Sequence, residues 1–100
     1  MMQNKANIET LNNDKQIPLI SACSNGHVCI VKLLIQSKAN IEILSNGHTP
    51  LTNSCKHQQL EIVKILIQSK ANIERPNNNG NTPLFISCKV GHLEIVTYLM

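Results

Sequence analysis

A chain of 100 residues with a net charge of +3 and 42% apolar residues is long enough to form one ordinary domain. Aromatic residues make up only 2% of it, and its nine lysines and arginines are spread out, whereas nucleic-acid binders show a basic stripe with stacking aromatics. No stretch reaches the ~18 apolar residues of a membrane helix, and the polar residues 1–9 lack the core of a signal peptide. We therefore expect no nucleic-acid partner, no membrane insertion and a cytoplasmic location.

The chain repeats itself with a period of 32 to 33 residues. The segment KANIE begins at residues 5, 38 and 70, and a Pro-Leu pair follows it at residues 18, 50 and 83. Each unit closes with an apolar run, at 31–37, 63–69 and 96–100. Self-similarity at this period indicates a stacked array in which each unit buries its apolar face against its neighbours.

In chain order, residues 1–15 are predicted to be the tail of a preceding repeat and the first loop. Repeat 1 then occupies 16–48, repeat 2 occupies 49–81, and a truncated repeat 3 occupies 82–100. Repeat 2 shows the unit most fully. Thr49 and Pro50 form a helix start, the helix runs to about Lys56, and a second helix runs from about Leu60 to Gln68. Residues 71–81 are rich in Asn, Pro and Gly, which predicts a tight reversal.

These motifs resemble the ankyrin repeat over residues 5–100. Thr49-Pro50-Leu51 and Thr82-Pro83-Leu84 carry the resemblance, Ile17-Pro18-Leu19 is a weaker copy, and Gly91-His92-Leu93-Glu94-Ile95-Val96 matches the second helix. The resemblance implies an all-α fold: an ankyrin-repeat solenoid of helix-turn-helix units joined by hairpin loops.

The departures from the family pattern predict a less stable array. Lys38 and Lys70 replace the family's helix-ending glycine, which costs about 1 kcal/mol in a left-handed cap. The histidine after Thr-Pro-Leu, which in the family ties adjacent loops together, is replaced by Ile20, Thr52 and Phe85. We therefore expect that inter-repeat network to be absent.

The cysteines and histidines could be interpreted as the ligands of a metal site. Cys23, Cys55 and Cys88 recur once per repeat, and two of them precede a histidine by four residues. Equivalent positions of stacked helices lie about 10 Å apart, which is too far for shared zinc ligands or a disulfide. We expect all three to pack in the core and Cys29 to be the exposed thiol. His27 and His92 are expected to hydrogen-bond to the turn backbone.

The residue pattern does not indicate a catalytic site. Glu42 and Glu74 occupy equivalent positions, as do Glu61 and Glu94, so each pair reflects duplication rather than a catalytic dyad. The four glycines are isolated and form no phosphate-binding loop. The sequence predicts no catalytic residue, no cofactor, no metal and no small-molecule substrate.

The resemblance implies protein binding through hairpin tips and the inner face of the first helices. Mapped onto this chain, the partner-binding candidates are Leu44, Ser45, Asn46, His48, Thr52, Asn53, Lys56, Arg75, Asn77, Asn78, Asn79, Asn81, Phe85, Ile86 and Lys89. For any one of these residues, a solvated turn position is the competing interpretation.

Two functions follow from the resemblance. The first is a non-catalytic protein-protein interaction module with an unknown partner. The alternative is a regulatory ankyrin segment of a larger multidomain enzyme, a kinase or ubiquitin ligase. Neither end of the chain shows the polar cap of a terminal repeat. We therefore expect a fragment of a longer array or a truncated gene product, and an isolated chain that is marginally stable or self-associates through its apolar ends.

Overall fold

The fold is a stack of helix pairs. The computed structural model describes residues 4–14 and 16–100, and that part of the chain contains six helices. They are α1 (Pro18–Asn25), α2 (Val28–Gln36), α3 (Pro50–Lys56), α4 (Leu60–Gln68), α5 (Pro83–Val90) and α6 (Leu93–Leu99). Extended pairing in the described part is limited to one isolated antiparallel bridge between Ser45 and His48. The predicted all-α repeat fold is confirmed, as are the predicted bounds of α3 and α4.

The first helix of each unit begins at a proline. Thr49 caps α3: its hydroxyl accepts a hydrogen bond from the Thr52 N–H at 3.1 Å, and the Thr52 hydroxyl accepts one from the Thr49 N–H at 2.9 Å. Thr82 caps α5 in the same way, accepting from the Phe85 N–H at 3.2 Å. Ile17 makes no side-chain cap for α1 and is buried instead. At the start of α1, the buried Ile17 side chain therefore contributes packing in place of a capping hydrogen bond.

Five of the six described helices, α1 to α5, are followed by a left-handed residue. Lys38 and Lys70 have φ values of +72° and +75°, which confirms their predicted role in place of glycine. Gln58 also adopts a positive φ, +58°, where the other two units have Gly26 and Gly91. Each of these three non-glycine residues holds a conformation that disfavours a Cβ.

The helices form two layers around an aliphatic core. Helices α1, α3 and α5 pack side by side, and α2, α4 and α6 form the second layer. The array measures 49 × 24 × 20 Å. Its core consists mainly of Leu19, Ile20, Val31, Leu51, Ile62, Val63, Leu66 and Ile95. None of the helices in the described part has the length and apolarity needed to cross a bilayer.

Carboxylates link successive units at the KANIE segments. The Glu9 carboxylate accepts a hydrogen bond from the Asn40 N–H at 3.0 Å, and the Glu42 carboxylate accepts one from the Asn72 N–H at 2.7 Å. Arg75 adds a second link, because its guanidinium donates to the Glu42 carbonyl. The sequence predicted the loss of the histidine-based network. It did not predict that glutamate carboxylates would link successive units instead.

Further hydrogen bonds join the inner layer and the hairpin tips. The Ser24 hydroxyl on α1 lies 2.6 Å from the Asn53 side-chain oxygen on α3, and the Gln59 side chain donates to the Ser24 carbonyl at 3.3 Å. At the tips, the Asn78 N–H donates to the Gly47 carbonyl at 2.9 Å. The units are thus connected by polar contacts at both edges as well as by the apolar core.

Candidate functional site

A groove of about 260 Å³ lies between the hairpin tips and the inner helices of the second and third units. Its lining consists of His48, Lys56, Asn77, Asn79, Asn81, Ile86, Lys89 and Val90. One wall is therefore made of loop amides, and the other comes from the exposed sides of α3 and α5. Such a concave site with a few polar groups is the kind that binds ligands.

Asn77 builds the loop wall of the groove. Its side-chain oxygen accepts hydrogen bonds from the Asn79 and Asn81 N–H groups, both at 3.0 Å, and its own N–H donates to the Asn81 carbonyl at 2.9 Å. An asparagine that bonds its own downstream backbone makes a compact Asx turn. The first loop has the same arrangement around Asn12, which accepts from the Asp14 and Gln16 N–H groups. The loop wall is therefore held rigidly by its first residue.

His48 forms the corner between the two walls. It closes the tight turn that begins at Ser45, in which Asn46 and Gly47 both adopt positive φ values. Its Nδ1 lies 3.1 Å from the Thr52 hydroxyl at the start of α3. Burial lowers the pKa of His48 below its ordinary value, and the positive charges of Lys56 and His57 lower it further. The imidazole is therefore neutral near pH 7.

Lys56 and Lys89 give the helix wall its charge. Each lies in the last turn of its inner helix, where a cation is favoured by the helix dipole. Among the described residues, no acidic side chain lines the groove. Glu61 and Glu94 lie in the first turns of the outer helices, and Glu42 and Glu74 lie in the KANIE segments. The groove is therefore a positively charged site walled by neutral amides.

The structure brings together seven of the predicted partner-binding residues: His48, Lys56, Asn77, Asn79, Asn81, Ile86 and Lys89. Val90 lines the same groove but was missed. Its position four residues after Ile86, on the same side of α5, was the available signal.

Other predicted residues are buried or engaged in the fold. Ser45, Thr52 and Asn53 are buried. Thr52 completes the helix cap and Asn53 bonds to Ser24, so their side chains hold the scaffold. Arg75 is half-buried, with its guanidinium 3.6 Å from the Glu42 carboxylate. Leu44, Asn46, Asn78 and Phe85 are exposed outside the groove lining. For the exposed residues, partner contact stays a prediction.

The thiols fall into two classes. Cys23 and Cys55 are buried as predicted, and burial raises the pKa of each to about 11, against a smaller lowering effect of the neighbouring Ser54 and Ser87 side chains. Cys29 is exposed, as predicted. The prediction that Cys88 packs in the core was wrong, because in the described chain no further unit covers its face of α5.

The remaining polar candidates are structural. His92 Nδ1 accepts a hydrogen bond from the Ile95 N–H at 3.2 Å, as predicted. The same prediction was wrong for the exposed His27, whose ring makes no such bond to a described residue. Within residues 4–14 and 16–100, no three His, Cys, Asp or Glu side chains are grouped closely enough to hold a metal ion.

Comparison with known families agrees with the geometry. A family profile described as ankyrin repeats, with three copies, matches residues 1–77 and again residues 19–100. Comparison with curated proteins finds no match. Ankyrin repeats generally serve as protein-protein interaction modules and are typically non-catalytic. The paired helices, the 32-to-33-residue period and the profile together cover the whole chain, which belongs to the ankyrin repeat family.

Proposed function

We propose that this chain is a non-catalytic module that binds an extended, acidic segment of a partner protein in the groove between the hairpin tips and the inner helices. One observation carries the proposal: in the part of the chain that the structure describes, the groove holds Lys56 and Lys89 on one wall, hairpin amides on the other, and no acidic side chain in its lining. Positive and neutral hydrogen-bonding groups of this kind complement carboxylates and peptide backbone.

The spacing of the two lysines suggests the form of the partner segment. Lys56 and Lys89 occupy equivalent positions of neighbouring helices, so their attachment points lie about 8–10 Å apart. An extended chain advances about 3.3 Å per residue, so carboxylates three residues apart span about 10 Å. The asparagine side chains of the loop wall can then donate to and accept from the segment's backbone. We expect a modest affinity, because exposed charge pairs contribute little each.

The test uses the intact chain and a defined probe. A glutamate-rich decapeptide is titrated into the ¹⁵N-labelled protein, and a lysine-rich decapeptide serves as the opposite-charge control. We expect amide shifts at His48, Lys56, Asn79 and Lys89 with the acidic peptide only. Shifts that are absent, or spread evenly over the whole surface, contradict the proposal.

Charge-reversal pairs separate site binding from general attraction. The first double variant carries Lys56→Glu and Lys89→Glu in the groove. The second carries Lys5→Glu and Lys32→Glu outside the groove, and both change the net charge by the same amount. The groove pair should abolish peptide binding, whereas the distant pair should weaken it only slightly and mainly at low salt. Equal losses from the two pairs would mean that the peptide responds to overall charge alone.

We further propose that this binding takes place in a reducing compartment, in keeping with the expected cytoplasmic location. The described chain carries four free cysteines, two of them exposed, and no disulfide. Free thiols of this kind are typical of proteins in reducing compartments.

The alternative, a regulatory segment of a larger enzyme, would use the same groove and stays a prediction of the sequence.

A further inference from the structure

One face of α5 differs in chemistry from the equivalent faces of the other two inner helices. Residues three and four positions apart on a helix share a face. On α5 such a face consists of Ile86, Lys89 and Val90, all of which line the groove. The equivalent positions of the other inner helices are polar throughout: Asn53, Lys56 and His57 on α3, and Ser21, Ser24 and Asn25 on α1. The two apolar residues are therefore specific to the groove between the second and third units.

This face of an inner helix is directed toward the preceding unit. On α3, the Asn53 side-chain oxygen accepts a hydrogen bond from the Ser24 hydroxyl of α1 at 2.6 Å. On α5, Ile86 takes the place of Asn53, is only 6% exposed and lines the groove together with Lys56 of the preceding unit. The pair of Ile86 and Val90, which we call the apolar patch, thus lies between two units that the structure describes.

The Val90 side chain is available to a ligand in the groove. Val90 is the last residue of α5 and is half-buried, but in the described part of the chain it is not among the half-buried apolar side chains that pack against the hydrophobic core. A single apolar residue on a surface is ordinary. Val90, however, lies in a concave site beside a second apolar side chain and two lysines. Its methyl groups therefore face the groove that attracts carboxylates.

The size of the groove limits what the apolar patch can hold. Its volume is about 260 Å³. Sites that enclose a whole drug-sized molecule have about 300–1,000 Å³. The groove is therefore suited to one or two side chains of a longer segment, with the rest of that segment lying across the surface.

We propose that the groove selects acidic segments that carry an aliphatic side chain between their carboxylates, and that the apolar patch recognises this side chain. The inference rests on the proposed function and adds the feature that distinguishes one acidic segment from another. Lys56 and Lys89 attract any carboxylate, and exposed charge pairs contribute little each. An aliphatic side chain seated in a groove contributes through the apolar area that it buries, so a segment that lacks it binds more weakly.

Three peptides of equal charge test the inference on the intact chain. They share glycine-serine flanks, and their central residues are Glu-Ala-Ala-Glu, Glu-Leu-Ala-Glu and Glu-Ala-Leu-Glu. At least one leucine peptide should bind about tenfold more tightly than the alanine peptide, because even partial burial of a leucine side chain contributes this much. Equal affinities for all three overturn the inference and leave the proposed function standing. If none of the peptides shifts the amide signals of the groove, the proposed function fails as well.

Matched valine-to-threonine variants locate the contact. Val90→Thr keeps the shape of the side chain but replaces a methyl group by a hydroxyl, so it should reduce the preference for the leucine peptide about fourfold. Val28→Thr, at a half-buried position of α2 outside the groove, should leave this preference unchanged. Because Val90 does not pack against the core, the variant is expected to keep the fold, which its amide spectrum verifies. A preference that survives Val90→Thr, or an equal loss in both variants, overturns the inference.

Salt and temperature separate the apolar contact from the charges. Added salt screens the lysines, so all three peptides should bind more weakly, whereas the ratio between the leucine and alanine peptides should stay the same. The preferred leucine peptide should also bind with a more negative change in heat capacity, which is the marker of apolar burial. Calorimetric titrations at several temperatures and two salt concentrations measure both quantities. A ratio that disappears at high salt, or identical heat-capacity changes, contradicts the inference.

Discussion

The Arg75 guanidinium lies 3.6 Å from the Glu42 carboxylate, whereas Ile43 stands at the position equivalent to Arg75 in the preceding unit. The consequence is visible at Glu9, the counterpart of Glu42. Its Oε2 atom is buried and, among the described residues, lacks a hydrogen-bond partner. The two links between successive KANIE segments are therefore unequal, and the one that contains Arg75 is the more complete.

Removing Arg75 should weaken the array without affecting the groove lining. Arg75→Ala loses a partly screened ion pair and a bond to the Glu42 carbonyl, so we expect the free energy of unfolding to fall by about 1 kcal/mol. Lys32→Ala, at an exposed position with no ion pair among the described residues, should change it by less than about 0.5 kcal/mol. Urea unfolding at low ionic strength measures both variants. Equal effects would show that the Arg75 contact contributes nothing to stability.

Replacing a left-handed lysine by glycine should stabilise the chain. Lys70 has a φ of +75°, and Lys70→Gly removes the steric penalty of its Cβ. The gain of about 1 kcal/mol is reduced by the lost charge at the helix end. Lys32→Gly, the same change inside α2, should instead cost about 1 kcal/mol. Opposite signs in thermal unfolding support the interpretation, and a loss of stability in both variants contradicts it.

The two threonine caps should differ in strength. The Thr49 hydroxyl accepts from the Thr52 N–H and also donates to the Thr52 hydroxyl at 3.2 Å, whereas Thr82 faces Phe85, which has no hydroxyl. Thr49→Val, which keeps the side-chain shape, should lower the free energy of unfolding by about 1–2 kcal/mol, and Thr82→Val by less. Chemical denaturation compares the two variants directly. A larger loss at Thr82 would contradict the idea that the bond between the Thr49 and Thr52 hydroxyls adds to the cap.

The buried thiols predict a loss of stability at alkaline pH. Burial raises the pKa of Cys23 and Cys55 from 9.0 to about 11, so the folded chain holds protons that the unfolded chain releases. Their contribution is complete below pH 9 and is lost as the pH rises to about 11, by up to about 2 kcal/mol per thiol. Urea unfolding under reducing conditions at pH 8 and pH 10.5 measures the loss.

Two thiol variants isolate that contribution. Cys23→Ala should flatten the pH dependence even though it also lowers the overall stability by removing buried atoms. Cys29→Ala, at an exposed thiol, should leave the dependence unchanged. The interpretation fails if Cys23→Ala keeps the slope of the unmodified chain.

His48 predicts a pH dependence of peptide binding. Its pKa is lowered, by burial first and then by Lys56 and His57, and Lys89 adds a further positive charge to the same groove. Acidification below about pH 6.5 therefore adds charge at the groove corner. The affinity for a glutamate-rich decapeptide should rise between pH 7.5 and pH 5.5 in calorimetric titrations. His48→Gln should reduce this rise, and His27→Gln, outside the groove, should not.

Local sequence patterns predicted the helices well because each pattern acts within a few residues. Threonine-proline starts and lysine-ended apolar runs determine the bounds of α3 and α4 without help from distant contacts. The repeated period then predicted the stacking. The burial of Cys88 could not be predicted in this way, because a side chain is buried only if a neighbouring unit lies over it. Identical spacing in the sequence therefore gives different environments at the end of the array.

The candidate site, too, was predictable from the sequence only in part. The hairpin position of His48 and the helix positions of Lys56 and Lys89 were predictable from the repeat pattern. The burial of Ser45 and the pairing of Arg75 with Glu42 were not, because both depend on how a turn closes and how far a side chain reaches into the next unit. Asn77 was expected at the surface, but it is buried, and its side-chain oxygen accepts hydrogen bonds from the backbone of its own loop.

The main helix contacts link only neighbouring units, and this has a consequence for how the chain folds. Most contacts connect residues that are near in sequence, so folding has few long loops to close and is expected to take microseconds to milliseconds. Because each unit contacts only its neighbours, folding can begin in any of the described units and then spread from one unit to the next.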